Sequence, residues 1–171
     1  MHAAAFGLNV AFARIATQAS FRKRLGKLTY ALAGLLAMHR PRPFDCELHL
    51  DDGPLRLKLL HLSIINAPVF GGFFGLRVPG SDVDDRRLDV VAIEDMPVPR
   101  LLMAGLGLAL GRAHAIRGLR TFHVRRLHVH AATPLAVSLD GELSAHIPGD
   151  FVVAADALRV ITPRHFVDVD D

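Results

Sequence analysis

A single cysteine, Cys46, stands in the 171 residues, so neither an intramolecular disulfide framework nor a cysteine cluster for zinc can be built. That fits a reducing, cytosolic compartment. An excess of charge of one sign is also missing: 20 Lys and Arg face 17 Asp and Glu, and apart from Arg22-Lys23-Arg24 and Arg125-Arg126 the cations are dispersed. Nucleic acid is not expected as a partner. The longest apolar run, Leu101 to Leu110, covers ten residues, well short of the ~20 that cross a bilayer as a helix. No basic segment followed by an apolar stretch and cleavage site opens the chain, and internal repeats and low-complexity tracts are lacking. What is present is a hydrophobic share of 51%, which excludes disorder and at this length supplies the core of one domain, residues 1–171. The sequence is buried in character from Ala3-Ala4-Ala5-Phe6 onward, which predicts that a further segment belongs in front of it.

Apolar residues recur at helical spacing over Asn9 to Ser20 and again over Leu25 to His39, where Pro41 and Pro43 impose a stop. From Phe44 the period becomes two. Cys46, Leu48 and Leu50 alternate with polar residues, Asp51-Asp52-Gly53 reads as a turn, and Leu55 to Leu59 resumes the alternation, predicting a hairpin. A more apolar strand is expected over Leu60 to Val69, another over Leu88 to Ile93, and a helix over Pro97 to Arg112. Further strands follow at Thr121 to Ala131, Leu135 to Leu139, Leu143 to Ile147, Phe151 to Ala154 and Leu158 to Ile161. The fold class is therefore α+β, an antiparallel β-sandwich with two N-terminal helices and one middle helix.

Three constellations carry possible chemistry. In Ser138-Leu139-Asp140-Gly141-Glu142, a strand period of two would aim the carboxylates of Asp140 and Glu142 the same way, and paired carboxylates can divide positioning from proton removal. Asp-Gly is equally a strong hairpin signal, so the same residues can be a turn alone. Asp82, Asp84 and Asp85 in the loop before Leu88 offer oxygen ligands suited to Mg²⁺ or Ca²⁺, without the spacing of an EF-hand, or form a solvated turn with Arg86 and Arg87. His123, His128 and His130 alternate with Arg125 and Arg126; His128 and His130 share a face as zinc ligands could, but the pattern is also that of a half-buried strand. Asn66-Ala67-Pro68 and Gly71-Gly72 form a loop that backbone can approach closely. The glycines of Gly105 to Gly111 lack the Lys-Ser/Thr of a phosphate loop and read as helix packing.

Several segments occur together in a familiar order: Ala-Ala-Phe-Gly-Leu-Asn, Leu25-Gly26-Lys27-Leu28-Thr29-Tyr30-Ala31, the Asn66 and Gly71-Gly72 loop, an acidic loop running into Leu88-Asp89-Val90-Val91, Asp140-Gly141-Glu142, and Ala157-Leu158-Arg159-Val160-Ile161-Thr162-Pro163. Over nearly the whole chain this resembles the C-terminal domain of bacterial diacylglycerol kinase-like lipid kinases, to which sphingosine and ceramide kinases are more distantly related. The resemblance implies transfer of the ATP γ-phosphate to a lipid hydroxyl, diacylglycerol-like, at the cytosolic membrane surface. In that scheme Glu142 is the base, with Asp140 beside it, while Asp82, Asp85 and the backbone carbonyl of Arg87 hold a structural Mg²⁺. It also implies that ATP, the co-substrate, is bound by an N-terminal domain not included in this chain, so that the chain alone should be inactive. Lipid, membrane surface and that missing domain are the expected partners, and a homodimer is admitted. Ala67 stands where the family has Gly after Asn, and Phe73 where it has a third Gly. Two other classes compete with this reading: a non-catalytic lipid-binding or regulatory sandwich, and a metal enzyme built on the histidine strand.

Overall fold

The computed structural model describes residues 3–8, 10, 42–67, 69–70, 76–77, 85–109, 117–154 and 157. Both expected N-terminal helices and the strand Leu158 to Ile161 lie outside these residues. The strands are β1 (Ala3–Gly7), β2 (Phe44–Leu50), β3 (Gly53–Ile65), β4 (Val69–Phe70), β5 (Leu76–Arg77), β6 (Leu88–Glu94), β7 (Leu119–Val124), β8 (Arg126–Ala131), β9 (Leu135–Leu139), β10 (Glu142–Ile147) and β11 (Gly149–Val152), with one helix, α1 (Val98–Ala109), among the described residues. All pairings are antiparallel: β4 pairs β5 alone, and the other nine strands form one sheet.

The sheet is organised by β3. Leu59 is opposite Phe44 of β2 and also Glu94 of β6, so β2 and β6 occupy opposite edges; Leu62 to Ile65 lie between β6 and β1, which puts β1 and β2 in succession along one edge. The two expected strands Leu55 to Leu59 and Leu60 to Val69 are thus a single 13-residue strand up to Ile65, shared by two halves of the sheet. The first half is β10-β9-β1-β3-β6-β7; the second is β3-β2-β8-β11. They fold onto each other. Phe6 of β1 meets Phe151 of β11 edge to face at 5.9 Å, and the core between them draws Ala4, Phe6, Leu48, Leu59, Leu62, Ile64, Val90, Leu127, Val129, Val137 and Ile147 together. The result is sandwich-like.

The expected strand Thr121 to Ala131 is interrupted at Arg125. β7 pairs β6 in the first half, whereas β8 pairs β2 and β11 in the second, so the chain changes halves at that residue. Arg125 donates its backbone N–H to Asp51 at 3.1 Å, which supplies a partner outside the ladder. Pattern could not show this, because both strands are amphipathic in the same period.

The halves differ in what covers them. On β2 and β8, Cys46, Leu48, Leu127, Val129 and Ala131 are buried while Asp45, His49, Arg126 and His130 are exposed, the pattern of a sheet with one wet face. On β6 five consecutive residues are buried. On the outer side, Val91 of β6 packs with Ile65 of β3, flanked by Ala3, Ala67 and Leu119, and a further cluster joins Leu60, Met96 and Leu101 of α1 to Leu8 and Ile93. Burial on both faces fits the mostly apolar composition of Leu59 to Ile65, interrupted by His61 and Ser63, and of Leu88 to Ile93, interrupted by Asp89.

Candidate functional site

Asp140 and Gly141 both take positive φ, 49° and 98°, and Leu139 pairs with Glu142, which makes them the two central residues of a type I′-like hairpin joining β9 to β10. The period-two expectation for Asp140 and Glu142 is therefore corrected: they are not two positions of one strand, since Asp140 belongs to the turn and Glu142 opens β10. Asp140 does more than turn the chain. Its carboxylate Oδ1 accepts the backbone N–H of Ala3 at 2.8 Å, and its own N–H donates to the Ala3 carbonyl at 2.9 Å, so the hairpin is fastened to the start of β1. Glu142, two residues on, is exposed, and β10 bulges between Leu143 and Ala145 just beyond it.

Asp85 and Arg87 lie at the entrance to β6. The Asp85 Oδ1 accepts the Arg87 N–H at 2.7 Å, an Asx-type turn that folds the carboxylate back onto the backbone, while Arg86 between them has φ 57°. The Arg87 guanidinium donates to the His123 carbonyl at 3.4 Å. Asp82 and Asp84, the other carboxylates expected here, lie outside the described residues.

Register relates these places. Ala3, Ile65, Asp89 and His123 form one line across β1, β3, β6 and β7, and Asp140 is bonded to its first member. Asn66, Asp85, Arg87, Asp140 and Glu142 thus share one rim of the first half-sheet. Two strand spacings, about 10 Å, separate Ala3 from Asp89, so the carboxylate hairpin and the acidic loop are neighbours along the rim and not one cluster. No group of three or more His, Cys, Asp or Glu converges on a metal position among the described residues, His128 and His130 included.

Two arrangements on the outer face were not singled out in the sequence. Asp89 is buried and bonds the His123 Nδ1 at 2.6 Å, which adds a side-chain tie to the pairing of β6 with β7. The one signal for it was a carboxylate inside the otherwise apolar Leu88 to Ile93. Along the same face, His61 Nε2 and Ser63 Oγ are 2.7 Å apart, and burial pushes the His61 imidazole down to about 4, partly offset by a hydrogen bond with the Phe6 backbone. Ser138 continues this row through Ala5, with its Oγ buried and unbonded among the described residues.

Residues 3–162 match the family described as the YegS C-terminal NAD kinase beta sandwich-like domain. The chain is 32% identical over 148 residues to a Pseudomonas aeruginosa protein named "Probable lipid kinase YegS-like", covering 86% of this chain and 48% of the relative. Against the diacylglycerol kinase of Bacillus subtilis it is 24% identical over 144 residues, 82% of this chain and 46% of the other. In fold it resembles a diacylglycerol kinase structure from Bacillus anthracis, with a TM-score of 0.61 at 18% identity over 87% of this chain and 47% of that one. The chain spans about half the length of the relatives it matches. With the match running over residues 3–162 and the antiparallel sandwich-like sheet it describes present here, this chain belongs to the YegS C-terminal domain family of diacylglycerol kinase-like lipid kinases.

Proposed function

We propose that the chain forms the acceptor side of a lipid kinase, at the cytosolic face of a membrane, and that the nucleotide is held by a segment outside it. The observation that carries this reading is the display of Asp140 and Glu142 on a tight hairpin at the rim, with Asp140 fastened to β1 and Glu142 exposed. In the reaction, the Glu142 carboxylate takes the proton of a diacylglycerol-like hydroxyl as its oxygen bonds to the γ-phosphorus. The bond from that phosphorus to the β,γ-bridging oxygen breaks, and ADP leaves. Asp140 fixes where Glu142 stands. Positioning of this kind matters because phosphoryl transfer asks little covalent chemistry of the protein.

The Asp85 carboxylate and the Arg87 carbonyl are hard oxygen donors two residues apart in one loop, a donor chemistry that fits Mg²⁺, and Asp82 would complete the set. When bound, such an ion supplies positive charge that holds the acidic loop together. The Asx turn already folds the Asp85 carboxylate onto the Arg87 backbone N–H, so the chain's own part is to fix the conformation of this loop.

The experiment is turnover of diacylglycerol micelles by this chain joined to the ATP-binding half of a relative, with kcat corrected for folded fraction. Glu142→Gln should lower kcat by ~10²–10⁴, and Asp140→Asn should lower it less. Near-wild-type kcat in Glu142→Gln sinks the assignment of the base and leaves a lipid-binding sandwich, while a larger loss in Asp140→Asn exchanges the two roles.

A further inference from the structure

We propose that the outward face of α1, centred on Leu102 and Met103, beds against an anionic lipid surface. Leu101 is buried with Leu60 and Met96, and helical rotation of about 100° per residue turns the next two side chains away from that contact. Leu102 is 48% and Met103 62% exposed. The other large hydrophobics exposed among the described residues, Leu143 and Val152, stand singly on β10 and β11. A surface helix in water ordinarily turns a charged side outward; over its 12 residues α1 has only Arg100, one turn before Met103, with no acidic residue in its first turn and no basic one in its last.

Charge decides what kind of partner fits. From Pro97 to Leu139 the sequence contains no Asp or Glu but six arginines, of which Arg100 and Arg117 are exposed on and just after the helix segment. The acids immediately before α1 are already engaged, Glu94 with Arg120 and Asp95 with Lys58. Adjacent aliphatic side chains in an acid-free, arginine-bearing segment match a helix lying in the headgroup boundary of an anionic membrane. At about 18 Å, α1 is too short to span a bilayer, so it lies in the interface. The choice of a lipid occupant over a protein one rests on the lipid-kinase reading above.

The test is cosedimentation of the chain with vesicles of phosphatidylglycerol and phosphatidylcholine, against vesicles of phosphatidylcholine alone. The chain should partition onto the anionic vesicles and be released by salt. Replacing Leu102→Ser and Met103→Ser together should weaken partitioning by at least about tenfold, since each removes exposed apolar area that the interface would cover; Arg100→Glu should weaken it further. The melting temperature should stay the same, because neither side chain is buried. Absence of vesicle binding, equal binding by the double variant, or a change in solution mass showing that the face joins two copies would each overturn the proposal. Its failure is separable from that of the kinase reading: a hybrid carrying the double substitution that turns over detergent-dispersed diacylglycerol normally keeps the latter standing.

Discussion

The middle of one half-sheet, β1, the end of β3 and β6, is covered on both faces, whereas the half formed by the start of β3, β2, β8 and β11 keeps one face in water. Polar groups behave differently on the two. On the wet face, Glu47 bonds Arg56 at 2.6 Å and His49 at 2.9 Å, and His128 bonds Asp150 at 3.0 Å, all at exposed or half-exposed positions. On the covered half, Asp89, Ser63 and Ser138 are buried, each at 4% exposure or less, and the carboxylates expected to do chemistry stand at its rim. Polar side chains are cheap to keep where water reaches them and cost free energy where it does not. Of those retained in the covered half, Asp89 is bonded to His123 and Ser63 to His61, while the Ser138 Oγ has no partner among the described residues.

Three measurements sharpen or break that contrast. The largest effect is expected from Leu62→Ala, in the stretch of β3 flanked by β1 and β6. A fully buried leucine there should cost ~3–5 kcal/mol in urea unfolding; a loss below 1 kcal/mol would mean that this half is loosely packed. Next is pH. The His61 imidazole is neutral in both states above about 6.5, and as the pH falls the unfolded chain takes up its proton first. Stability should therefore decline from about pH 6.5 until the folded state also protonates near 4, by at most ~3 kcal/mol, and His61→Asn should flatten that part of the profile. An identical profile in the variant would remove His61 as its source. The smallest effect belongs to the wet face. The Arg56 guanidinium holds the Glu47 carboxyl below its ordinary range, yet Arg56 is 85% exposed, so Glu47→Gln and Arg56→Gln should leave the melting temperature unchanged at neutral pH. A clear drop would show that the network anchors β2 to β3.

Local chemistry was legible in the sequence where a turn or a period sets the structure alone. Asp51-Asp52-Gly53 and Asp140-Gly141 turn as their residues dictate, and Cys46 and Leu48 face inward as the alternation requires. The helix expected over Pro97 to Arg112 is present as Val98–Ala109. Three features were illegible because they depend on partners far along the chain. The passage of β3 between half-sheets and the break at Arg125 leave hydrophobic alternation unaltered, and the same residues could have made uniform strands. Asp89 stood out only as a lone carboxylate in the expected strand Leu88 to Ile93, because His123, its partner, is brought to it by β7. For the candidate site, residue types pointed to the rim, but the attachment of Asp140 to Ala3 could not be read from the hairpin itself.

That attachment has a consequence for how the protein is made. Ala3 and Asp140 are 137 positions apart, so the hairpin bearing Glu142 cannot be seated until nearly the whole domain has been synthesised and β1 is already in place beside β3. Closing so long a loop is entropically slow compared with forming the β2–β3 or β9–β10 hairpins. The seam between the β9–β10 hairpin and β1 is accordingly among the last parts of the sheet to assemble, and until the chain reaches Asp140 the outer edge of β1 has no partner strand to cover it.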